Sequence, residues 1–476
     1  MSARWLLAVA LAATSFSALA AEADIDAALR AEVDALRARL QDLESRLDAL
    51  DPAPANINAQ AQTQRLLVVE HKLELQQEDA IAKAPNLPVV AISDKGLSVK
   101  NAKGDFEFKL RGGMQFDYRG FFGDDVALND TSLLRRIRPS LEGTLGPLLA
   151  FRIVPELADD TASLIDATID VKFDSRYSLR VGKMKGPIGL ERLMSWNALA
   201  MMERGFPTEL APSREVGAQV FGEFATGAVS YAIGVFNGAP DGRNGNASDP
   251  DNNVEFEGRL FLEPWKNETN AWSGLGFGLA ASAGEKDGAG NAFLPRYRTP
   301  GQNIFFNYRN AVTAHGDHTR WTPQAYYYRN ALGLQAEHIE SEQELLIPGV
   351  ANSRVELTHD AWQLTASWVL TGEDAGYKGV AKPNNPFLAK GDGWGAFELV
   401  ARVGELDVDD AAFPRYADPS IAASRSQAWG IGLNCFLTSN LKLAFNHTHA
   451  SFDGGAPGGA DREDEKTFFS RVQVAF

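Results

Sequence analysis

Hydrophobic and polar residues alternate, in short bursts, along most of this 476-residue chain. In the burst that begins at Phe106, residues such as Phe108 and Phe116 share one parity, whereas Lys109 and Arg111 take the other. Successive side chains of a strand point to opposite faces of the sheet. Each burst therefore predicts a strand with one apolar and one polar face.

We predict sixteen such strands between Phe106 and the terminal Phe476, joined by tight turns that alternate with long polar loops. Gly146-Pro147 and Asp174–Arg176 are examples of the turns. The predicted long loops include Ala283–Thr319, Glu340–Asp360 and Asp407–Gln427. A soluble sandwich has no reason to sort its connections by length, whereas an outer-membrane barrel has short periplasmic turns and long external loops. The pattern predicts an all-β, 16-stranded antiparallel transmembrane β-barrel over residues 104–476.

Three segments do not fit this pattern. Thr371–Gly393 is long where a short turn is expected, and Phe305–Tyr308 reads as extended structure inside a long loop. The alternation slips at Gly182 in the fifth strand, which predicts a bulge. The sequence therefore leaves open which of Lys183 and Lys185 faces the lumen.

The first hundred residues differ in character. Arg4, an apolar run and Ala18-Leu19-Ala20 predict a signal peptide over residues 1–20, which directs the chain to the Gram-negative outer membrane. A heptad of leucines and valines predicts a coiled coil over residues 21–51, followed by a linker over residues 52–103 with one possible further helix. The single cysteine, Cys435, excludes an internal disulfide.

A barrel of about sixteen strands encloses an aqueous channel, so its inward residues decide what passes. Lys109, Arg111, Arg136 and Arg138 take the inward parity, and rings of Arg or Lys favour anions in pores. Asp166 also faces inward, whereas Arg135 takes the opposite parity. The alternative is that charges of both signs line a wide pore merely to keep it wet.

The loop Gly186–Arg214 is unusually apolar for an external loop, with Leu190, Met201 and Met202 among its residues. We expect it to fold back against the barrel wall and to narrow the lumen. It also carries Arg192 and Arg204.

Several motifs together resemble the phosphate-selective porins O and P. They are F-K-L-R-G-G-M-Q-F-D-Y, L-R-R-I-R, L-I-D-A-T-I-D, R-V-G-K-M-K-G-P-I-G-L-E-R and M-E-R. The resemblance implies a homotrimer of sixteen-stranded barrels through which phosphate-like anions diffuse. It assigns Arg135 and Arg136 to paired lumen arginines, Arg192 and Arg204 to the constriction, and Asp166 to the acidic residue beside it. The chain departs from the family at Arg138 and Lys185, and at inward Glu255 and Glu257, where ladder arginines are expected.

The candidate pore-lining and anion-binding residues are Lys109, Arg111, Arg135, Arg136, Arg138, Asp166, Lys185, Arg192 and Arg204. We expect a passive porin for phosphate or polyphosphate, with Arg136, Arg192 and Arg204 at its narrowest part. It would contact outer-membrane lipid but no nucleic acid, and would need no cofactor.

The sequence leaves three other functions to consider. A general porin whose coiled coil tethers the outer membrane to the cell wall is the main alternative, and the net charge of −16 keeps a mixed selectivity open. His447 and His449 lack an evident third metal ligand, and no nucleophile motif accompanies them, so an enzyme is not expected. A sugar channel lined by Tyr326 and Tyr328 is less favoured.

Overall fold

The structure is a computed structural model. It describes residues 38–39, 41–42, 45, 63–72, 74–75, 88–122, 129–158, 162–246, 248–380 and 382–476. The chain forms two compact units, Met1–Ala84 and Pro85–Phe476. The predicted signal peptide and most of the predicted coiled coil lie outside the described residues. Residues 63–72 are helical, where the sequence predicts a further helix in the linker. Among the described helices, none has the length and apolar character needed to cross a bilayer.

The second unit is built almost entirely from strands, which we number in chain order. They are β1 Val89–Ser93, β2 Gly96–Lys100, β3 Phe106–Phe122, β4 Thr131–Leu145, β5 Leu149–Glu156, β6 Ser163–Asp174, β7 Tyr177–Lys185, β8 Arg214–Phe224, β9 Val229–Phe236, β10 Glu255–Leu262, β11 Leu275–Ala289, β12 Arg296–Arg298, β13 Ile304–Asn307, β14 Thr313–Arg329, β15 Leu332–Leu346, β16 Val355–Val369, β17 Ala396–Asp407, β18 Ala423–Phe436, β19 Leu441–Gly454 and β20 Glu465–Ala475. Two one-turn helices, α1 Leu190–Leu193 and α2 Pro207–Leu210, lie between β7 and β8.

Sixteen of these strands, β3–β11 and β14–β20, form a closed antiparallel barrel. Each strand pairs with the next, and β20 pairs with β3 so that Val472 lies opposite Phe116. All sixteen strands predicted from the alternation are present, which confirms the fold class. We call the two openings of the barrel the short-turn end and the long-loop end.

The remaining pairing lies at the short-turn end. β1 and β2 form a hairpin, and Leu97–Lys100 of β2 pair with Glu107–Leu110 of β3, next to the position where β20 ends. These residues fall in the predicted linker, so the linker prediction is wrong for Val89–Lys100. The hairpin was missed because its residues give only two five-residue runs with weak alternation.

The outward row is apolar, as the alternation predicts. Side chains such as Phe116, Ile169 and Ile233 are exposed by 47%, 52% and 64%. Their inward neighbours Gln115 and Asp117 are fully buried. The outward row therefore has the apolar surface that a transmembrane barrel presents to acyl chains, and the inward row lines the lumen.

Several strands extend beyond the predicted limits. β11 continues to Ala289 and β14 begins at Thr313, and β15 and β16 together leave only residues 347–354 as their connection. The predicted loops Ala283–Thr319 and Glu340–Asp360 are therefore too long. Above the bilayer the outward side chains, such as His315 and Asp317, are polar, so the alternation that marks a strand disappears there.

The hydrophobic core lies inside the long-loop end of the barrel. The connection between β11 and β14 folds inward, and its β12–β13 ribbon buries Tyr297, Phe305 and Phe306. These rings pack in one cluster with Leu357 of β16 and Leu406 of β17. The extended structure predicted for Phe305–Tyr308 is confirmed in β13, which ends at Asn307. This part of the lumen is filled by folded loops.

The connection between β16 and β17, which the sequence identified as too long for a turn, also folds into the barrel. The Tyr377 ring stacks on Tyr326 at 5.3 Å between centroids. The Tyr377 hydroxyl donates a hydrogen bond to the carbonyl oxygen of Leu190 at 2.6 Å. The connection therefore supports the segment between β7 and β8 from below.

Candidate functional site

The central feature of the lumen is the segment 186–213, which we call the inward loop. Its apolar side chains are buried, among them Ile188, Leu190, Met201, Phe206 and Leu210. The expected folding of this loop into the barrel is confirmed. Apolar residues would be costly in an external loop bathed by water, and here they are removed from it.

Polar side chains around the barrel wall hold the backbone of this loop. The carboxylate of Glu337 accepts hydrogen bonds from the backbone N–H groups of Leu190 and Glu191 at 2.5 and 3.1 Å. The backbone carbonyl oxygens of the inward loop accept hydrogen bonds from side chains that include Lys185, Asn434, Lys442, Arg471 and Gln473. Side chains from β7, β15 and β18–β20 thus fix the loop in one position.

Glu203, near the far end of the inward loop, is surrounded by arginines. Arg135 contacts it with two nitrogens at 2.8 and 3.0 Å, and Arg119 and Arg471 approach to 3.0 and 2.9 Å. Arg136 lies at 3.8 Å. Burial opposes ionisation of Glu203, but the charges of Arg135, Arg136 and Arg471 outweigh it and hold its pKa well below the ordinary value.

A bulge explains why both paired arginines point inward. Arg136 pairs with Gln115 and Leu134 pairs with Phe116, so Arg135 is an extra residue in β4. A bulge redirects a side chain without disturbing the rest of the strand. Arg135 therefore reaches Glu203 although its parity predicts the outward face, and Leu134 keeps its outward position.

A cavity with a volume of about 1080 Å³ lies along the inner faces of β3–β10 and against the inward loop. Nine of its lining residues are basic and six are acidic. The basic ones are Lys109, Arg138, Arg152, Lys172, Arg180, Lys185, Arg204, Arg214 and Arg259; the acidic ones are Glu107, Glu142, Asp166, Asp170, Asp174 and Glu223. The wall of the cavity is thus net basic in a chain whose formal charge is −16.

The end of this cavity that lies against the inward loop, which we call its upper end, has four cationic side chains. Arg214 contacts Asp166 at 2.7 Å and Arg138 contacts Glu156 at 2.6 Å, so each of these has a carboxylate partner. Lys185 and Arg204 instead both donate to the carbonyl oxygen of Met194, at 2.8 and 2.9 Å. Among the described residues neither of the two has a carboxylate within 4 Å.

These positive charges affect one another. Burial, followed by the charge of neighbouring Arg192, lowers the pKa of Arg204 to about 9, so it stays protonated at neutral pH. A crowded cation of this kind is stabilised by any anion that approaches it. We call Lys185 and Arg204 the unpaired cations.

The structure distributes the predicted site residues over two regions. Lys109, Arg138, Asp166, Lys185 and Arg204 line the cavity. Arg111 lies apart from it, with its nearest carboxylate, Glu142, at 4.0 Å. Arg135 and Arg136 are outside the cavity because Glu203 and Gln115 bind them. Lys183 does not line the cavity, and the strand pairing runs through Gly182 without a register shift, so the predicted bulge there is wrong.

Arg192 differs most from its expected position. Its guanidinium group is buried and donates to the carbonyl oxygens of Thr208 and Ala211. The single turn of α1 directs it toward α2, inside the loop, and it does not line the cavity. It holds the fold of the inward loop rather than facing the lumen.

Sequence reasoning missed Arg180 and Arg259 as cavity residues. Arg180 contacts Asp170 at 2.7 Å, and Arg259 contacts Gln324 at 3.0 Å. Arg180 lies two residues from buried Ser178 and four from buried Met184, so the inward parity of β7 was a usable signal for it. For Arg259, two residues after Glu257, the parity of β10 gives the same signal.

Comparison with known proteins gives consistent results. An uncharacterised protein of Caulobacter vibrioides is 25% identical over 459 residues, covering 90% of this chain and 86% of that one. Porin O of Pseudomonas aeruginosa is 23% identical over 427 residues, covering 82% and 92%.

Two solved structures are similar to this chain. The trimer form of OmpT, an outer membrane protein of Vibrio cholerae, covers 78% of this chain and 99% of its own, with 10% identity and a TM-score of 0.50. An anion-selective porin from Comamonas acidovorans gives the same coverage, 13% identity and a TM-score of 0.49. The family model described as phosphate-selective porin O and P matches residues 108–476. With the closed barrel and its inward loop, this match places the chain in that family of outer-membrane porins.

Proposed function

We propose that this porin is a passive channel for small anions, with inorganic phosphate or polyphosphate as its preferred substrate. The observation that carries the proposal is the pair of unpaired cations at the upper end of the cavity. Lys185 and Arg204 converge on one backbone carbonyl without a neutralising carboxylate, whereas Arg138 and Arg214 have partners. A site with two free positive charges and the planar donors of a guanidinium suits a phosphate oxyanion.

The rest of the cavity supports an anion path. Its basic residues follow β3–β10 from the short-turn end to the inward loop, and most of them have acidic neighbours. Paired charges keep the wall hydrated, but because they cancel each other they leave it with little net charge. The selectivity should therefore arise at the unpaired cations, and the wall should contribute conductance.

The experiment is conductance in planar bilayers, with reversal potentials in a potassium chloride gradient and phosphate added as a competitor. The purified wild type should prefer chloride over potassium, and phosphate should block the chloride current. The double variant K185Q/R204Q should lose both effects while the channel still opens. The matched control is Lys266→Gln, which removes one exposed cation beside Glu263 in the connection between β10 and β11 and should leave selectivity unchanged.

Two results would contradict the proposal. Cation preference in the wild type would exclude an anion channel. Unchanged phosphate block in K185Q/R204Q, with normal trimers and conductance, would place the selective site elsewhere.

We further propose that the protein assembles as a homotrimer, on the analogy of the family and of the trimeric OmpT form. Mass measurement of the detergent complex after subtraction of bound detergent should give three copies of the 51.6-kDa chain, less any cleaved signal peptide. A monomer at the same detergent concentration would refute this.

A further inference from the structure

Three glutamate side chains converge on the inner side of the barrel wall, beside the first residue of the inward loop. Glu215 comes from the start of β8, and Glu255 and Glu257 come from the start of β10. One carboxylate oxygen from each lies within 4.8 Å of the other two. All three residues are at most 2% exposed.

Two of these carboxylates have no hydrogen-bond donor. Both oxygens of Glu215 and both oxygens of Glu257 are buried without a partner. Glu255, by contrast, accepts from Lys286 at 2.8 Å and from Arg320. A buried carboxylate is strongly destabilised unless a donor or a cation compensates it. Two adjacent buried carboxylates without a hydrogen-bond donor therefore indicate a missing positive partner.

The charges around the cluster lead to the same conclusion. Besides the three glutamates, Asp241 is bound to Arg320 at 2.6 Å, and Lys286 is the other buried cation. With His318 taken as neutral and all four carboxyls taken as ionised, four negative groups face two positive ones. The surplus of two negative charges belongs to Glu215 and Glu257, because Arg320 and Lys286 are engaged by Asp241 and Glu255.

We propose that Glu215, Glu255 and Glu257 bind one divalent cation, and that calcium is the ion best suited to the site. Carboxylate oxygens are the ligands of hard cations. Calcium accepts them at about 2.3–2.6 Å, so oxygens on opposite sides of the ion are separated by up to about 5 Å, which fits the spacing of the three side chains. One divalent ion also balances the surplus charge, whereas one shared proton would leave a negative charge buried.

The ion would join β8 to β10 across β9, beside the point at which the inward loop leaves the wall. The carboxylate of Glu257 lies against Gly186, the first residue of that loop, in the space that a side chain there would occupy. Calcium binding would thus hold the base of the loop and remove two negative charges from the lumen wall.

The test uses the full chain refolded in detergent, free of lipopolysaccharide and stripped with EGTA. Calcium is titrated by calorimetry up to about 10 mM, which covers the affinities of extracellular calcium sites. The wild type should bind one calcium per chain, more tightly than magnesium, and should melt at a higher temperature with calcium than with EGTA. The variant E215Q/E257Q should lose the binding and the difference in melting temperature.

The matched control is E398Q/E465Q, which changes two buried lumen glutamates that already have amide or hydroxyl partners. It should bind calcium as the wild type does. Absence of saturable binding in the wild type, or equal binding by E215Q/E257Q, would overturn the proposal. So would a wild type insensitive to calcium together with an E215Q/E257Q variant that melts higher in EGTA, since this would indicate protonated carboxyls. The assay measures no ion flow, so its outcome is independent of the proposed anion selectivity.

Discussion

The two sides of this barrel differ in how completely acidic groups neutralise their arginines. On the side of β3–β10 the lumen is an open cavity, and Arg204 donates only to backbone carbonyls. On the side of β11 and β14–β20 the lumen is filled by folded loops, and Arg320 and Arg471 are buried against carboxylates. From this difference we expect an inward arginine to contribute to anion passage only where no acid neutralises it and water reaches it.

The largest expected effect, on the free energy of unfolding, comes from breaking an ion-pair network on the filled side of the barrel. Replacing Arg320 by Met leaves Asp241 and Glu255 buried without their main cation, and removal of one partner from such a network costs about 3–5 kcal/mol. The free energy of unfolding, measured by urea titration in detergent, should fall by this amount. Arg204→Gln on the open side should change it by no more than about 1 kcal/mol. Equal losses for the two variants would remove the distinction between the sides.

A smaller effect is expected at the boundary of the two sides, where Glu203 holds Arg119, Arg135 and Arg471. Glu203→Gln should lower the free energy of unfolding by about 2–3 kcal/mol because charge-assisted hydrogen bonds are lost. It should also release positive charge beside the cavity, so reversal potentials should shift toward stronger anion preference. A shift toward cations would show that these arginines do not face the ion path.

The same residue predicts a pH dependence. Because the pKa of Glu203 is held below its ordinary value of about 4.5, its stabilising contribution is complete above that pH and is lost only as the pH falls through the lowered pKa. The contribution of Glu203 to single-channel conductance should thus be constant from neutral pH down to about 5 and change in stronger acid. The Glu203→Gln variant, which cannot titrate at this position, should lack that acid change; an identical acid profile would assign it to another group.

The smallest effect is expected for Tyr377→Phe. This change removes the hydroxyl that donates to Leu190 but keeps the ring stacked on Tyr326, so the cost should be about 1 kcal/mol. Looser support of the inward loop should appear as increased current noise with unchanged selectivity. Current noise equal to that of the wild type would show that the β16–β17 connection does not support the loop.

The strands were predictable because lipid forces a strict alternation on every membrane-spanning segment. The inward loop was predictable because its apolar residues had no place in water. The resemblance placed Arg135 in the lumen, but its parity did not, since a one-residue bulge depends on pairing between β3 and β4 rather than on the pattern within β4. Arg192 was misplaced because one helical turn decides whether it faces the lumen or α2, and a sequence does not specify that rotation. The parts of β14 and β15 at the long-loop end were not predicted, because their outward residues do not face acyl chains and so need not be apolar.

The hairpin β1–β2 has a consequence for solubility before assembly. Closure of a tilted barrel leaves β3 longer than β20 at the short-turn end, so Glu107–Leu110 would present bare N–H and C=O groups. An unpaired strand edge of this kind can pair with a strand of a neighbouring chain. Because Leu97–Lys100 pair with this part of β3, they cover its unpaired edge. A polypeptide trimmed to the barrel alone should therefore aggregate more readily before it is inserted.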